Sequence, residues 1–205
     1  MAVAPLSPVV KKILGHSLAE NHLHGVDTLI HGTHLNIRLS NDESLVPSVI
    51  SRLEHAVCEI DFCDEMLWMQ IAMALDEAIV NAMFHGNLEV SSALRQTDDG
   101  KPFFDMIQSR KKMSPYQDRH VEIQMRVDRQ QAEFIITDEG PGFDIFSLPD
   151  PRDPSNLEKA SGRGLLLIHS FMDKVTHNER GNQITMIKRK PDDRASLSDD
   201  ADKTH

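Results

Sequence analysis

Alternation of apolar and polar residues predicts strands in three parts of the chain. Residues 34–40, HLNIRLS, alternate in this way and predict a half-buried strand. The segments 120–127 and 132–138 alternate on either side of a short polar turn, which predicts an antiparallel hairpin. Residues 175–189 predict two more strands around a Gly-Asn turn.

Helical periodicity and capping residues predict three helices. A first helix is expected from about residue 45 to 60, after the polar residues 41–44. Asp64 is suited to cap a second helix that runs to about residue 85, where Gly86 stops it. The third covers 164–175. The apolar positions of the second helix repeat at helical spacing: Leu67, Ile71, Leu75, Ala78, Ile79, Ala82 and Met83.

The order of these elements predicts an α+β fold rather than a doubly wound parallel sheet. We expect a two-layer α/β sandwich with a mixed, mostly antiparallel sheet and helices on one face. The domain spans residues 31–190, after an N-terminal extension at 1–30. The polar segment 88–119 is interpreted as an insertion, either partly helical around 102–112 or mobile. The acidic tail, 191–205, is predicted to be disordered.

Charge and composition exclude several classes of function. The 205 residues include 22 Lys and Arg but 32 Asp and Glu, for a net charge of −10, so general binding to nucleic acid is disfavoured. Only eight Phe, one Trp and one Tyr are present, too few for a base-stacking platform. The sequence shows no signal peptide and no apolar run of membrane-spanning length, so we expect a cytoplasmic protein.

Cysteine and histidine give little support for a metal site. Cys58 and Cys63 match no zinc signature and are expected to be reduced, partly buried thiols. The eleven histidines are scattered, and the nearest pair, His22 and His24, has no partner signature.

The first candidate cluster lies on the predicted second helix, in DEAIVNAMFHGN. Glu77 and Asn81 are four residues apart, so their side chains share one face at the edge of a core. A carboxylate there can orient a hydroxyl or a water, and an amide oxygen suits Mg²⁺, which prefers oxygen ligands. On its own, such a pair is also typical of a solvated helix face.

The second cluster is DEGPG, residues 138–142, at the end of a predicted strand. Asp138 there can accept a hydrogen bond from a planar donor such as an adenine amino group. Gly140 and Gly142 remove the side chains that would block a ring. Alone, this segment is more typical of a simple turn.

The third cluster is Ser161-Gly162-Arg163-Gly164, directly before an apolar helix. Glycines at a helix N-terminus expose backbone N–H groups and the positive end of the helix dipole, which suits phosphates. A flexible hinge is the alternative. The spacing matches neither a P-loop nor a dinucleotide fingerprint.

The order and the predicted contexts of the three clusters agree, which makes them more specific together than separately. The chain resembles the GHKL ATP-binding superfamily of gyrase, heat-shock chaperones, histidine kinases and mismatch-repair ATPases. It looks more closely similar to the anti-sigma-factor serine kinases of bacterial stress and sporulation control. The resemblance covers roughly residues 35–190 and rests on ALDEAIVNAMFHGN, ITDEGPGFDIFSLPDPRDPSNLEKASGRGLLLIHSFMDKV and NERGNQITMIKR.

The resemblance implies the GHKL, or Bergerat, type of sandwich and a role for each motif residue. Glu77 would be the general base, Asn81 would bind Mg²⁺, and Asp138 would accept from the adenine amino group of ATP. The segment 143–161 would form a lid over ATP. Further nucleotide contacts are implied for Gly140, Gly142, Ser161, Gly162, Arg163 and Gly164, and for Thr185 through a water shared with Asp138.

The resemblance also implies partners and sets alternatives. The leading hypothesis is a serine/threonine protein kinase that phosphorylates an anti-sigma-factor antagonist and sequesters a sigma factor; it allows a homodimer. The alternatives are a non-catalytic ATP-binding switch and a phosphotransfer partner of a response regulator. We expect neither a complete sensor histidine kinase nor a gyrase-like protein, since no phosphorylatable-His helix pair and no transducer domain are predicted. The long 88–119 segment departs from the compact kinases, and Arg110, Lys111 and Lys112 make it either a dock for an acidic partner or a solvated charge run.

Overall fold

One open sheet of five strands forms the centre of the domain. The computed structural model describes residues 32–144 and 163–191, which all lie in the unit His31–His205. The predicted extension at 1–30, most of the lid and almost all of the tail lie outside these residues. The strands are β1 (Gly32–Ser40), β2 (His120–Asp128), β3 (Gln131–Thr137), β4 (Lys174–His177) and β5 (Gln183–Arg189). Their order is β1-β2-β3-β5-β4 and every pairing among them is antiparallel, so the parallel component that was expected is absent from the described sheet.

Four helices accompany the sheet within the described ranges. They are α1 (Val46–Cys58), α2 (Glu65–Asn81), α3 (Lys101–Arg110) and α4 (Arg163–Phe171). As predicted, Asp64 caps α2, because its carboxylate accepts the backbone N–H of Leu67 at 2.7 Å. A π-helical turn, Ala82–Asn87, extends α2. The last helix ends at Phe171 rather than at 175, because β4 begins at Lys174.

The alternation in the strands places one apolar face of the sheet against the helices. Val121, Ile123, Met125 and Val127 of β2 are buried together with the inner faces of α1 and α2. The opposite face of β1 and β2 carries exposed polar residues such as Glu122. The predicted α+β sandwich is therefore confirmed. Both cysteines are free thiols, with Cys58 exposed and Cys63 half-buried.

The longest helix is central to the core. From Glu65 to Asn87 it spans 23 residues, and an 18-residue window within it has a mean hydropathy of 1.2, which by length and composition alone would suffice to cross a membrane. Its inner side chains, including Ile71, Leu75 and Ile79, are instead fully buried in the domain core. This helix therefore holds the two layers together.

The segment 88–119 is a packed part of the domain. It contains α3 and short 3-10 turns, and its Phe103 and Ile107 are buried in the main core. Arg110 donates from Nη1 to the carbonyls of Leu88 and Glu89, both at 2.6 Å. The helical alternative is thus the one the structure shows.

The basic residues of this segment do not form a free patch. Arg110 is occupied by backbone carbonyls, and Lys111 forms an ion pair with Glu43. Lys112 is the exposed one of the three. Arg110 and Lys111 are therefore held within the domain, and the dock for an acidic partner stays a prediction beside the solvated charge run.

Candidate functional site

The carboxylate of Asp138 is enclosed by two glycines. Asp138 follows β3 and pairs with Asn182, whose carbonyl accepts its N–H at 2.9 Å and whose side chain donates to its carbonyl at 2.7 Å. A Cβ on Gly86 would overlap the Asp138 carboxylate, and a Cβ on Gly140 would overlap the carbonyl of Gly86. The end of the α2 extension, the end of β3 and the first glycine of the DEGPG loop therefore pack without any side chain between them.

Burial shapes the electrostatics of this carboxylate. Asp138 is 8% exposed, and burial raises its pKa from 3.8 to about 6, against the lowering effects of the Gly140 N–H and of Arg180 and Arg119. The N–H of Gly140 donates to Oδ1 at 2.8 Å. Among residues 32–144 and 163–191, no side chain or backbone N–H is recorded as a hydrogen-bond donor to Oδ2.

Glu77 and Asn81 meet the beginning of α4. Both side chains are half-buried on one face of α2, as the spacing predicted. A Cβ on Gly164 would overlap Oε2 of Glu77 and would lie 3.4 Å from the amide nitrogen of Asn81. The N-terminal turn of α4 is therefore held directly against the carboxylate and the amide.

One helix supports both parts of the site. Glu77 and Asn81 lie in the last turns of α2, and Gly86 lies in its π-helical extension beside Asp138. A ligand with a hydrogen-bond donor at Asp138 and an anionic group at the start of α4 would therefore lie along α2 and its extension. A surface depression lined by Gly32 and Asp128 lies at the other end of the sheet and includes none of the motif residues.

Gly142 contributes to a different contact from the one expected. Its φ is +80°, and a Cβ there would overlap the carbonyl of Arg180 in the turn between β4 and β5. Arg180 in turn donates from Nη2 to the carbonyl of Gly140 at 2.9 Å. Gly142 therefore packs the DEGPG loop onto this turn, whereas Gly140 packs against Asp138.

The structure does not bring Thr185 to Asp138. Ile184 pairs with Ile136 and Thr185 pairs with Ile135, so Thr185 projects from the opposite face of the sheet to Ile136 and Asp138. The predicted water shared by Thr185 and Asp138 is therefore wrong. Buried Asn182 is the β5-side residue that touches Asp138, and its position directly after the turn glycine was the available sequence signal.

Part of the predicted phosphate cluster lies outside the described residues. This part comprises Ser161, Gly162 and the side chain of Arg163, and residues 145–161 of the lid lie outside the described residues as well. His85 is used structurally, since its Nδ1 donates to the carbonyl of Val90 at 2.6 Å and burial lowers its pKa. Among the described residues, no three His, Cys, Asp or Glu side chains converge as a metal site.

Comparison with known proteins identifies the family of the chain. The sequence model of the histidine kinase-like ATPase domain matches residues 39–188, which is most of the chain. The chain therefore belongs to the histidine kinase-like ATPase family. No curated protein sequence matches it.

Proposed function

We propose that this protein is an ATP-dependent serine/threonine protein kinase that phosphorylates an anti-sigma-factor antagonist and sequesters a sigma factor. Membership of the histidine kinase-like ATPase family supports an ATP-binding regulatory function. The choice of a kinase is carried by one observation, the half-buried carboxylate of Glu77 against the start of α4. The class of partner and the cytoplasmic location rest on the resemblance of the motif stretches and on composition.

The residues at both ends of the site fit ATP. The ionised Asp138 presents Oδ2 as an acceptor for the adenine amino group, and Gly86 and Gly140 leave the backbone bare beside it. At the other end, Gly164 brings backbone N–H groups of α4 to Glu77 and Asn81, where phosphate oxygens can be bound.

Asn81 is the residue that would hold Mg²⁺. A single amide oxygen does not make a metal site, so the remaining ligands would be phosphate oxygens and waters, as is usual for Mg²⁺. Mg²⁺ bound there would neutralise charge on the phosphates. We expect Asn81→Ala to weaken the Mg-dependent part of nucleotide binding.

Glu77 is placed to accept a proton. In the transfer, the hydroxyl oxygen of a serine or threonine forms a bond to the γ-phosphorus of ATP, and the bond to the bridging oxygen of ADP breaks with its electron pair on ADP. The hydroxyl proton passes to Glu77. A module that only binds ATP needs no such base, which favours the kinase over the switch.

Label transfer tests the proposal. The protein is incubated with ATP labelled in the γ-phosphate and with candidate antagonist proteins from its own genome. We expect Glu77→Gln to retain Mg-ATP binding and to lose transfer by about 10²–10⁴-fold. Asp76→Asn is the matched control, because Asp76 is its exposed neighbour of the same charge and should keep both activities. Nucleotide-dependent binding of an antagonist without transfer by the wild type would favour the switch.

A further inference from the structure

Asn87 is a fully buried polar residue beside the nucleotide site, with 0% exposure. It is the last residue of the π-helical extension of α2 and directly follows Gly86. Buried side-chain amides stay in a protein core only when their donors and acceptors are satisfied, so its partners are informative.

The oxygen of Asn87 holds the loop that carries Asp138. Oδ1 accepts the backbone N–H of Glu139 at 2.7 Å, and the next N–H, that of Gly140, donates to Asp138 Oδ1 at 2.8 Å. Of two successive N–H groups in the loop, the first thus donates to Asn87 and the second to Asp138. A shift of this loop would move the Asp138 carboxylate with it.

Asn41 sets the orientation of Asn87. The amide nitrogen of Asn41 donates to the carbonyls of Tyr116 and Arg119 at 3.0 and 3.1 Å, so its Oδ1 must face the other way. That Oδ1 accepts the amide nitrogen of Asn87 at 2.8 Å, which leaves Asn87 Oδ1 directed at Glu139. Each amide can satisfy its partners in only one orientation.

The end of the 88–119 segment supplies the outer anchor. The carbonyls of Tyr116 and Arg119, which accept from Asn41, belong to this segment. The side chain of Arg119 also donates from Nη1 to the backbone carbonyl of Asn87 at 2.7 Å and to the carboxylate of Glu89 at 2.7 Å. This connected network reaches from the segment through Asn41 and Asn87 to the residue after Asp138. The segment that the sequence analysis interpreted as an insertion therefore supports the proposed nucleotide site.

We propose that Asn87, oriented by Asn41, is a positioning residue for adenine recognition by Asp138. This inference rests on the proposed binding of ATP. A hydrogen bond weakens steeply as its angle departs from linear, so a carboxylate displaced by about 1 Å loses much of its preference for the amino group of adenine.

The test compares ATP with purine riboside triphosphate, which lacks only the 6-amino group. Dissociation constants for both ligands are measured by calorimetry. In the wild type, the hydrogen bond to Asp138 should favour ATP by about 10-fold or more. Asn87→Ala should weaken the binding of ATP but not that of the analogue, which reduces the ratio of the two dissociation constants to about 1–3. Asn41→Ala should reduce this ratio less. Leu53→Ala, a fully buried core change, should lower the melting temperature and leave the ratio unchanged.

The other outcomes of this experiment are distinguishable from one another. If Asn87→Ala does not fold, Asn41→Ala carries the test. An unchanged ratio in the folded variants, with a ratio of 1 in Asp138→Asn, overturns the role of Asn87 and leaves the ATP site standing. If Asn87→Ala weakens the binding of both ligands equally, the role of Asn87 is only structural. A wild type that binds neither ligand overturns the proposed function as well.

Discussion

Gly86 and Asp138 touch so closely that no side chain fits between them. A Cβ on Gly86 would lie 2.5 and 2.6 Å from the two carboxylate oxygens of Asp138, well inside normal contact. The φ of Gly86 is not in the left-handed region, so the requirement for glycine is steric rather than conformational. The position of the carboxylate therefore depends on a glycine 52 residues earlier in the chain.

Gly86→Ala should displace the carboxylate of Asp138 and weaken the binding of ATP. Because the new methyl group must push the carboxylate or the helix end away, we expect ATP affinity to fall by about 10-fold or more. Calorimetry measures the loss. Gly32→Ala is the control, since its Cβ would also be tight, 3.0 Å from a carbonyl, but at the far end of the sheet. Equal affinities for wild type and Gly86→Ala would show that Asp138 does not contact the ligand.

The affinity for ATP should depend on pH through Asp138. Burial raises the pKa of this carboxyl to about 6, so it is ionised and accepts hydrogen bonds above that pH. As pH falls through about 6, the carboxyl takes up a proton and ATP affinity should fall. Because the phosphates of ATP also titrate, the profile is compared with that of Asp138→Asn, which should lack the component from residue 138.

The same pKa predicts an effect of opposite sign on the stability of the protein without ligand. The folded state binds the Asp138 proton more tightly than the unfolded state, where the pKa is near 3.8. The ionised carboxyl therefore lowers the free energy of unfolding above pH 6, and this loss of stability disappears as the pH falls toward 4. Asp138→Asn should raise the free energy of unfolding by about 1–3 kcal/mol at pH 8, and less at pH 4. Denaturant titrations at the two pH values measure it, and a loss of stability at pH 8 would contradict the raised pKa.

Local patterns predicted the elements of this fold, but not the contacts between distant parts of the chain. Alternation located the strands and Asp64 marked the start of α2, because each depends on near neighbours. Thr185 was misplaced because the face of a strand residue depends on register, and a one-residue difference reverses it. Asn87 was passed over because its partners, Asn41 and Glu139, lie 46 and 52 residues away.

The basic residues at the end of α3 should contribute to stability rather than to docking. Arg110 satisfies two backbone carbonyls and stacks on Tyr116, with 4.8 Å between its guanidinium carbon and the ring centroid. Arg110→Ala should lower the free energy of unfolding by about 1–3 kcal/mol, because both carbonyls lose their donor. Lys112→Ala, two residues away and exposed, should change it by less than about 0.5 kcal/mol. Chemical denaturation distinguishes the two, and equal small effects would restore the solvated charge run.

The effect of Gly164→Ala on the free energy of unfolding should change sign when the Glu77 side chain is removed, as a double-mutant cycle can measure. A Cβ on Gly164 would overlap the end of the Glu77 side chain, which must move aside, so Gly164→Ala should lower the free energy of unfolding by up to about 1 kcal/mol in the wild type. Glu77→Ala removes that carboxylate. In this background Gly164→Ala should be neutral or stabilising by up to about 1 kcal/mol, because alanine is favoured over glycine in a helix. Leu165→Ala, at the next residue of α4, is the control and should cost the same in both backgrounds. Additive effects at residues 77 and 164 would mean that α4 does not rest on Glu77, and the phosphate end of the site would lose its support.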